Sequence, residues 1–161
     1  MLPHLDAAHN LARWLLGNPQ DAEDAVQEAY LRALTYFDGF HGEDGRAWLL
    51  AIVRNTCFEC LHKKRRYVEM PFEHLELFRD DSPGPETLQL RDADRVAVQR
   101  GLETLPPEFR EVLVLREMEG MSYKQIAQIT DVPIGTVMSR LARARRRLLE
   151  TLTAASRRET A

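Results

Sequence analysis

The chain has 161 residues, a formal net charge of −3 at pH 7 and a pI of about 6.0. This length allows one domain or two small ones, and the low aromatic content of 7% argues against a long β-rich fold. We find no apolar run long enough to span a bilayer and no signal peptide, so we expect a cytoplasmic protein without membrane insertion.

The chain begins with two amphipathic segments. Apolar residues at helical spacing predict a helix over residues 5–16, which a Gly-Asn-Pro sequence ends. Asp21 is a candidate N-cap of a second helix that runs to about Phe37, with Phe37 on its inner face. The outer face presents acidic residues around the apolar Leu31. Leu31 could be an isolated surface leucine or the anchor of a protein partner, and the sequence leaves both possibilities open.

A third helix is expected over residues 46–62, after a glycine-rich loop at 38–45. Its predicted outward face combines small residues with a guanidinium, an amide, an aromatic ring and a basic end. The residues of this face are Ala47, Ala51, Arg54, Asn55, Phe58 and His62, with Trp48 at the edge. Such a surface suits the stacking and recognition of unpaired bases. Alternatively, Phe58 and Trp48 pack on a neighbouring helix, and the pattern alone favours this second interpretation.

The two cysteines, Cys57 and Cys60, form a CxxC sequence on this helix. A zinc site normally needs a second pair of ligands at a suitable distance, and we find none. Both cysteines lie near one helical face, where cysteine behaves as a small apolar residue. We therefore interpret them as structural, and we expect no metal and no cofactor.

An acidic segment rich in proline and glycine, residues 71–87, has the composition of a linker and marks a domain boundary. We predict one domain over residues 1–70 and another over 88–161. The second domain should begin with a helix over 88–105 and continue with a helix from Pro107 to Met118.

Residues 122–149 indicate two helices joined by a tight turn. Ser122 and Gln125 form a capping box, and Pro133 disfavours helix at the preceding residue. The helix that starts near Ile134 should run to about Leu152, with an apolar back and five arginines between Asp131 and Glu150, a stretch without acids. These arginines repel one another unless an anion neutralises them. The pattern is typical of a helix-turn-helix that binds the DNA major groove; a solvated arginine face is the alternative.

Three stretches together resemble one family. The segments DAEDAVQEAYLRA (21–33) and RAWLLAIVRNTCFECLHKKRR (46–66) are similar to the second conserved region of bacterial sigma factors. The segment LPPEFREVLVLREMEGMSYKQIAQITDVPIGTVMSRLARARRRL (105–148) is similar to their fourth region. The presence of these two regions alone, in this order, resembles the extracytoplasmic-function group of the sigma-70 family.

The resemblance implies an all-α protein of two small helical domains joined by a flexible linker. It also implies a docking surface on the second helix for the β′ clamp helices of RNA polymerase core, consisting of Asp21, Asp24, Gln27, Glu28 and Leu31. The third helix would open and recognise the −10 promoter element, in which a base is flipped into a pocket. The residues implied in −10 binding are Trp48, Arg54, Asn55, Phe58, Lys63, Lys64, Arg65 and Arg66. The stretch from His62 to Arg66 would hold backbone phosphates.

The fourth region would contact the β flap of the polymerase and recognise the −35 element. The residues implied in −35 binding are Thr136, Ser139, Arg140, Arg143 and Arg146. Two positions depart from the family: Met138 stands where a basic residue is frequent, and Asp131 stands where the turn often has glycine. Aspartate tolerates a left-handed backbone, so we expect the turn to form.

The resemblance thus implies a sigma factor that directs transcription initiation with polymerase core, binds promoter DNA and is silenced by an anti-sigma factor. The alternative is a free-standing helix-turn-helix regulator, acting as a dimer on two half-sites. Enzymatic activity is not expected, because the sequence contains no nucleophile–base pairing, phosphate-binding loop or metal cluster.

Overall fold

The computed structural model describes residues 4–40, 42, 44–68 and 90–160, apart from the side chains of 66–68, 90–93, 159 and 160. The predicted linker, 71–87, lies outside the described residues. The helices are α1 Leu5–Leu16, α2 Pro19–Thr35, α3 Gly45–Val68, α4 Leu90–Glu103, α5 Pro107–Leu113, α6 Tyr123–Thr130 and α7 Ile134–Thr160. The described ranges contain no strand, so the predicted all-α class is confirmed. Within them, no helix is both long and apolar enough to cross a membrane.

The N-terminal bundle consists of α1, α2 and α3, which pack pairwise around buried alanine, leucine and valine side chains. Gly17 ends α1 in the left-handed conformation with φ 73°. The side chain of Asn18 accepts hydrogen bonds from the backbone N–H groups of Gln20 and Asp21. Asn18, and not Asp21, is therefore the N-cap of α2, because Pro19 occupies the first helical turn one residue later.

The end of α2 also differs from the prediction. The helix stops at Thr35 and a 3₁₀ turn follows at Phe37–Gly39. Phe37 therefore leaves the inner face of the helix, and about half of its surface is exposed. α3 in turn extends to Val68, well beyond the predicted end at residue 62. The basic residues at 62–66 consequently continue the same helix.

The C-terminal bundle consists of α4 to α7, with a π-helical turn at Val114–Met118 between α5 and α6. The predicted capping box is confirmed: Ser122 accepts from the N–H of Gln125, whose side chain accepts from the N–H of Ser122. Asp131 adopts the left-handed conformation with φ 55°, as expected for the turn. α7 then starts at Ile134 and continues to Thr160, eight residues beyond the predicted end at Leu152.

The two bundles pack against each other, with α3 against α6 and α1 against α5 and the π-helical turn. This packing overturns part of the predicted outward face of α3, because Ala47 is buried with 4% of its surface exposed. Alanine at this position leaves room for α6 to approach closely. The sequence pattern predicted an exposed Ala47 because helical periodicity within the N-terminal bundle carries no information about contacts with the C-terminal bundle.

Candidate nucleic-acid interface

One side of α7, here called the α7 face, lies opposite the buried side of the helix. It consists of Thr136, Ser139, Arg140, Arg143 and Arg146. The buried side consists of Val137, Leu141 and Ala144, which fix the rotation of α7 against α5 and α6. Ser139, Arg143 and Arg146 are exposed, and Thr136 and Arg140 are half-buried. The turn at residues 131–133 sets α6 beside α7 in the helix-turn-helix arrangement. These residues therefore form one continuous polar and cationic surface.

Two arginines beside this face have partners that the sequence did not predict. The Nη2 of Arg145 lies 2.7 Å from Oε1 of Glu117, on the π-helical turn. The guanidinium of Arg147 lies 4.9 Å from the ring centroid of Phe109. The expectation that all five arginines lack an acidic partner is wrong for Arg145, because Glu117 comes close only through the tertiary fold. Neither contact engages Arg143 or Arg146.

The α3 face consists of Trp48, Arg54, Asn55 and Phe58. Trp48, Arg54 and Phe58 are half-buried, and the C-terminal bundle engages Arg54. Nε of Arg54 donates to Oε2 of Glu111 at 2.8 Å, and Nη2 donates to Oε1 at 3.1 Å. The same guanidinium lies 3.8 Å from the ring centroid of Phe58. Asn55 remains exposed and accepts from Nη1 of Arg54 at 3.4 Å. Arg54 is thus held between a carboxylate and an aromatic ring.

Glu111 is a carboxyl group with no exposed surface. Burial raises its pKa, while the hydrogen bonds and charge of Arg54 and the charge of Arg140 oppose that rise. A bidentate arginine is the partner that best offsets the cost of burying a carboxylate. The Arg54–Glu111 pair is consequently the electrostatic centre of the contact between the two bundles.

Trp48 belongs to an aromatic cluster with Phe37 and Phe40. Its ring centroid lies 4.8 Å from that of Phe40 and 6.5 Å from that of Phe37. The sequence left open whether Trp48 and Phe58 stack on bases or pack within the protein. In this conformation, Trp48 contacts the loop aromatics and Phe58 contacts Arg54.

The basic end of α3 lies beyond the contact between the bundles. His62, Lys63 and Arg65 are exposed, and Lys64 forms an ion pair with Asp21 of α2. The backbone of Arg66 continues the helix, and its side chain lies outside the described residues. This end therefore presents cations along one helix, with one of them engaged by an acid.

The α2 face consists of Asp21, Asp24, Gln27, Glu28 and Leu31. All of these residues are exposed except Asp21, which is half-buried. Leu31 has 61% of its surface exposed, and Leu34, which the sequence reasoning missed, is exposed to the same extent. Glu28 forms an i,i+4 ion pair with Arg32 at 3.3 Å. Leu31 is thus not isolated, because it belongs to an apolar strip bordered by acids and amides.

Sequence reasoning also missed the acids of the C-terminal bundle that face the N-terminal bundle. Besides Glu111, these include Glu119, which accepts from Arg46 at 2.8 Å and from Asn10 at 2.7 Å. A usable signal existed for Glu111, since it directly precedes the apolar sequence Val-Leu-Val-Leu. An acid within a buried helical segment requires a partner. Nothing local identifies that partner as Arg54.

Comparisons with known proteins match both bundles. The family model "Sigma-70 region 2" matches residues 2–67, and "Sigma-70, region 4" matches residues 95–148. The ECF RNA polymerase sigma-E factor of Escherichia coli K12 is 38% identical over 134 residues, which cover 78% of this chain and 70% of that protein. The ECF RNA polymerase sigma factor SigE of Mycolicibacterium smegmatis is 33% identical over 92% of this chain, which spans 58% of that relative's length.

A solved structure extends the similarity to the fold. The sigma factor RpoE of Bartonella quintana, crystallised with the anti-sigma factor NepR, superposes with a TM-score of 0.77 at 31% sequence identity. The match covers 94% of this chain and 93% of that one. Both bundles and their order along the chain are therefore shared with a known sigma factor.

Proposed function

Because the chain belongs to the extracytoplasmic-function sigma factors of the sigma-70 family, we propose that it binds RNA polymerase core and directs promoter-specific initiation. The observation that carries this proposal is the presence of both matching regions, region 2 and region 4, in one chain and in the family's order. The free-standing regulator is not favoured, since a helix-turn-helix alone does not account for the region 2 match. The protein acts by binding, without a catalytic step of its own, in the cytoplasm where transcription takes place.

Recognition of the −35 element is assigned to the α7 face. Its exposed Ser139, Arg143 and Arg146 follow the major-groove geometry of a helix-turn-helix recognition helix. Arginine donates two hydrogen bonds to guanine, which gives sequence discrimination. Met138, half of whose surface is exposed, supplies an apolar contact where the family often has a cation. Such a contact suits a thymine methyl group.

Recognition of the −10 element is assigned to the α3 face and to the basic end of α3. Asn55 can both donate to and accept from a base edge, and Phe58 and Trp48 offer rings for stacking. Lys63, Lys64, Arg65 and Arg66 supply charge for the phosphates. In this conformation Arg54 is bound by Glu111, and Asn55 is the exposed residue of this face.

Binding to the polymerase is assigned to two surfaces. The α2 face contacts the β′ clamp helices, with Leu31 and Leu34 as apolar anchors among acids and amides. The C-terminal bundle contacts the β flap. The corresponding domains are residues 1–70 and 88–161, with 71–87 connecting them.

An anti-sigma factor is the proposed inhibitor. The similar RpoE of Bartonella quintana is crystallised with NepR, and the exposed apolar strip on α2 offers such a protein a surface to cover. A partner of this kind competes with core polymerase, because both require Leu31. A preformed complex with core should therefore lose this chain when purified anti-sigma factor is added. Simultaneous, independent binding of the two would contradict this assignment.

The function is tested by run-off transcription with core polymerase on a randomised promoter library. We expect enrichment of two conserved elements separated by a fixed spacing, and no transcript from core alone. Measurement of the chain's mass with and without core is the companion experiment. A dimer that protects promoter DNA without core, and that gives no transcript with it, would contradict the proposal.

A further inference from the structure

We propose that Arg32 is a positioning residue for the binding of RNA polymerase core: it ties Glu28 of the α2 face to α3 and so presents that carboxylate in one orientation. The inference deepens the proposed function and rests on it, because it concerns how the α2 face meets the polymerase. Arg32 lies beside that face and acts through Glu28, whereas the α2 face makes the contact.

The guanidinium of Arg32 uses its three nitrogens for three different partners. Nε donates to Oε1 of Glu28 at 3.3 Å, one turn earlier on α2. On α3, Nη1 donates to Oγ1 of Thr56 at 3.3 Å and Nη2 donates to Oε2 of Glu59 at 2.7 Å. Arginine can hold several acceptors at once because its donors form a rigid planar fork. Arg32 therefore links the Glu28 carboxylate to the neighbouring helix.

The α3 side of this network is the firmer anchor. Thr56 has 3% of its surface exposed, and its hydroxyl donates to the carbonyl oxygen of Ile52 at 2.8 Å while accepting from Arg32. The hydrogen bond from Arg32 is the main cause that lowers the pKa of Glu59. The same bond is the main cause that raises the pKa of Arg32. The orientation of Arg32 is thus set mainly from α3.

This anchoring changes what the pair of Arg32 and Glu28 can do. An isolated i,i+4 ion pair on an exposed helix contributes little, because it must order two long side chains. Here α3 already holds the arginine, so only Glu28 has to be ordered. Its carboxylate then loses rotational freedom before the polymerase arrives, and that loss is otherwise part of the cost of association. Preorganisation of this kind raises affinity without adding a contact.

The ordered carboxylate remains open to a partner. The side chain of Glu28 is 52% exposed, and Leu31, which directly precedes Arg32, has 61% of its surface exposed. Arg32 has only 33% of its side chain exposed. The arginine is thus the more sheltered member, which fits a residue that orients the face rather than one that contacts the polymerase.

Two other roles for Arg32 predict different outcomes. If Arg32 only stabilised the bundle, its loss would matter little, because buried side chains such as Ala29, Ala33 and Val53 already hold α2 against α3 and exposed ion pairs contribute little to stability. If Arg32 acted only through its charge, its removal would strengthen binding, since the acidic α2 face attracts a complementary basic partner. A positioning role alone predicts a folded chain with weaker binding.

The binding test titrates the fluorescently labelled chain with purified core polymerase. Arg32→Ala should raise the dissociation constant about twofold to tenfold, the range expected from the ordering of one long side chain. Glu59→Ala removes an anchor on α3, outside the α2 face, and should act in the same direction. The matched control is Arg13→Ala, which removes an equal charge from an exposed position on α1 and should bind like the unchanged chain. An unchanged or lowered dissociation constant for folded Arg32→Ala overturns the proposal, as does an equal rise for Arg13→Ala.

A double-mutant cycle shows whether Arg32 acts through Glu28. In a Glu28→Ala background, Arg32→Ala should change the dissociation constant by less than about twofold, because the carboxylate that it orients is absent. An equal loss of affinity in both backgrounds would mean that Arg32 contacts the polymerase directly or alters the whole bundle. That result overturns the positioning role.

Two further measurements separate the possible failures. Thermal melting establishes that each variant is folded; if Arg32→Ala is not, Glu59→Ala is judged by the same cycle. Run-off transcription is titrated with the chain at a fixed core concentration. Arg32→Ala should need a higher half-saturating concentration and reach the unchanged plateau, since the order of Glu28 affects docking and not strand opening.

The same titration keeps the two proposals apart. The absence of a transcript with the unchanged chain refutes the proposed function. Transcription by the unchanged chain, with the same half-saturating concentration for Arg32→Ala, leaves the proposed function standing and refutes the positioning role.

Discussion

The α3 face and the α7 face both present arginine beside polar side chains, yet their arginines differ in exposure. Arg54 on α3 has 17% of its side chain exposed and is bound by a fully buried carboxylate. Arg143 and Arg146 on α7 are exposed. The difference arises because Glu111 and Glu119 face the N-terminal bundle, whereas Glu117 engages only the flanking Arg145. The two faces thus differ in how far the chain's own acids engage their arginines.

The largest expected effect comes from a substitution on the buried side of α7, which holds the α7 face in place. Leu141 is buried with 1% of its surface exposed, and Leu141→Ala should cost about 2–5 kcal/mol of stability through lost burial and a residual cavity. Thermal and chemical denaturation measure this loss. The control is Leu149→Ala on the same helix, where 65% of the leucine surface is exposed and a change within about 0.5 kcal/mol is expected. Equal losses of stability in the two variants would mean that Leu141 does not hold α7 against the bundle.

The next effect tests the α7 face directly. Arg143→Ala should reduce discrimination at the −35 element by about 1–3 kcal/mol, the value of a bidentate arginine–guanine contact. Affinity for core should not change, since Arg143 contacts neither the α2 face nor the interior. Footprinting of the holoenzyme on matched and mismatched −35 sequences gives the measurement.

The control for Arg143 is Arg158→Ala, which removes the same charge from the exposed far end of α7. If both variants lose affinity equally for all sequences, Arg143 supplies only general electrostatic attraction. Arg143 would then have no role in reading bases.

The two faces also differ in how far the sequence predicted them. The α7 face depends on local signals, namely the Ser122 capping box, the Asp131 turn and the apolar spacing of Val137 and Leu141. These features were predicted correctly because local hydrogen bonds and helical periodicity depend only on residues that are close in the sequence. One local prediction elsewhere in the chain was wrong: Asn18, and not Asp21, is the N-cap of α2.

The α3 face was predicted in composition but not in environment. Its helix and its residues follow from periodicity, whereas the cover over them depends on α5 and α6, which lie far along the chain. The contact of Arg54 with Glu111 spans 57 positions, and no single-sequence pattern encodes such a pairing. The same limit explains the buried Ala47 and the partner of Arg145.

A smaller effect is expected at the exposed part of the α3 face. Asn55→Ala should impair promoter opening by about twofold to tenfold, since a neutral hydrogen bond contributes about 0.5–1.5 kcal/mol. Permanganate reactivity at the −10 thymines reports opening, and Gln99→Ala, which removes an exposed amide on α4, is the control. Opening at the unchanged rate would remove Asn55 from the proposed −10 residues.

The smallest expected effect is at Asp44, which joins the start of α3 to α6. Oδ1 accepts from the N–H of Ala47 at 3.0 Å and Oδ2 accepts from Gln125 at 2.9 Å. Asp44→Asn keeps an oxygen for the helix cap, where asparagine is as effective as aspartate, but turns an N–H toward the N–H of Gln125. The cost should therefore be about 0.5–1 kcal/mol at neutral pH, the value of one lost hydrogen bond.

The pH dependence of that cost identifies its origin. The backbone N–H of Ala47, and then the Gln125 side chain, hold the pKa of Asp44 below its usual value of 3.8. A carboxyl whose pKa is lowered by folding stabilises the protein above the unfolded pKa and loses this contribution as the pH falls through the folded one. The stability difference between the unchanged chain and Asp44→Asn should accordingly be full at pH 7 and shrink below pH 3.8 in denaturant titrations. A difference that stays constant down to strongly acid pH would show that shape, and not the Asp44 charge, links α3 to α6.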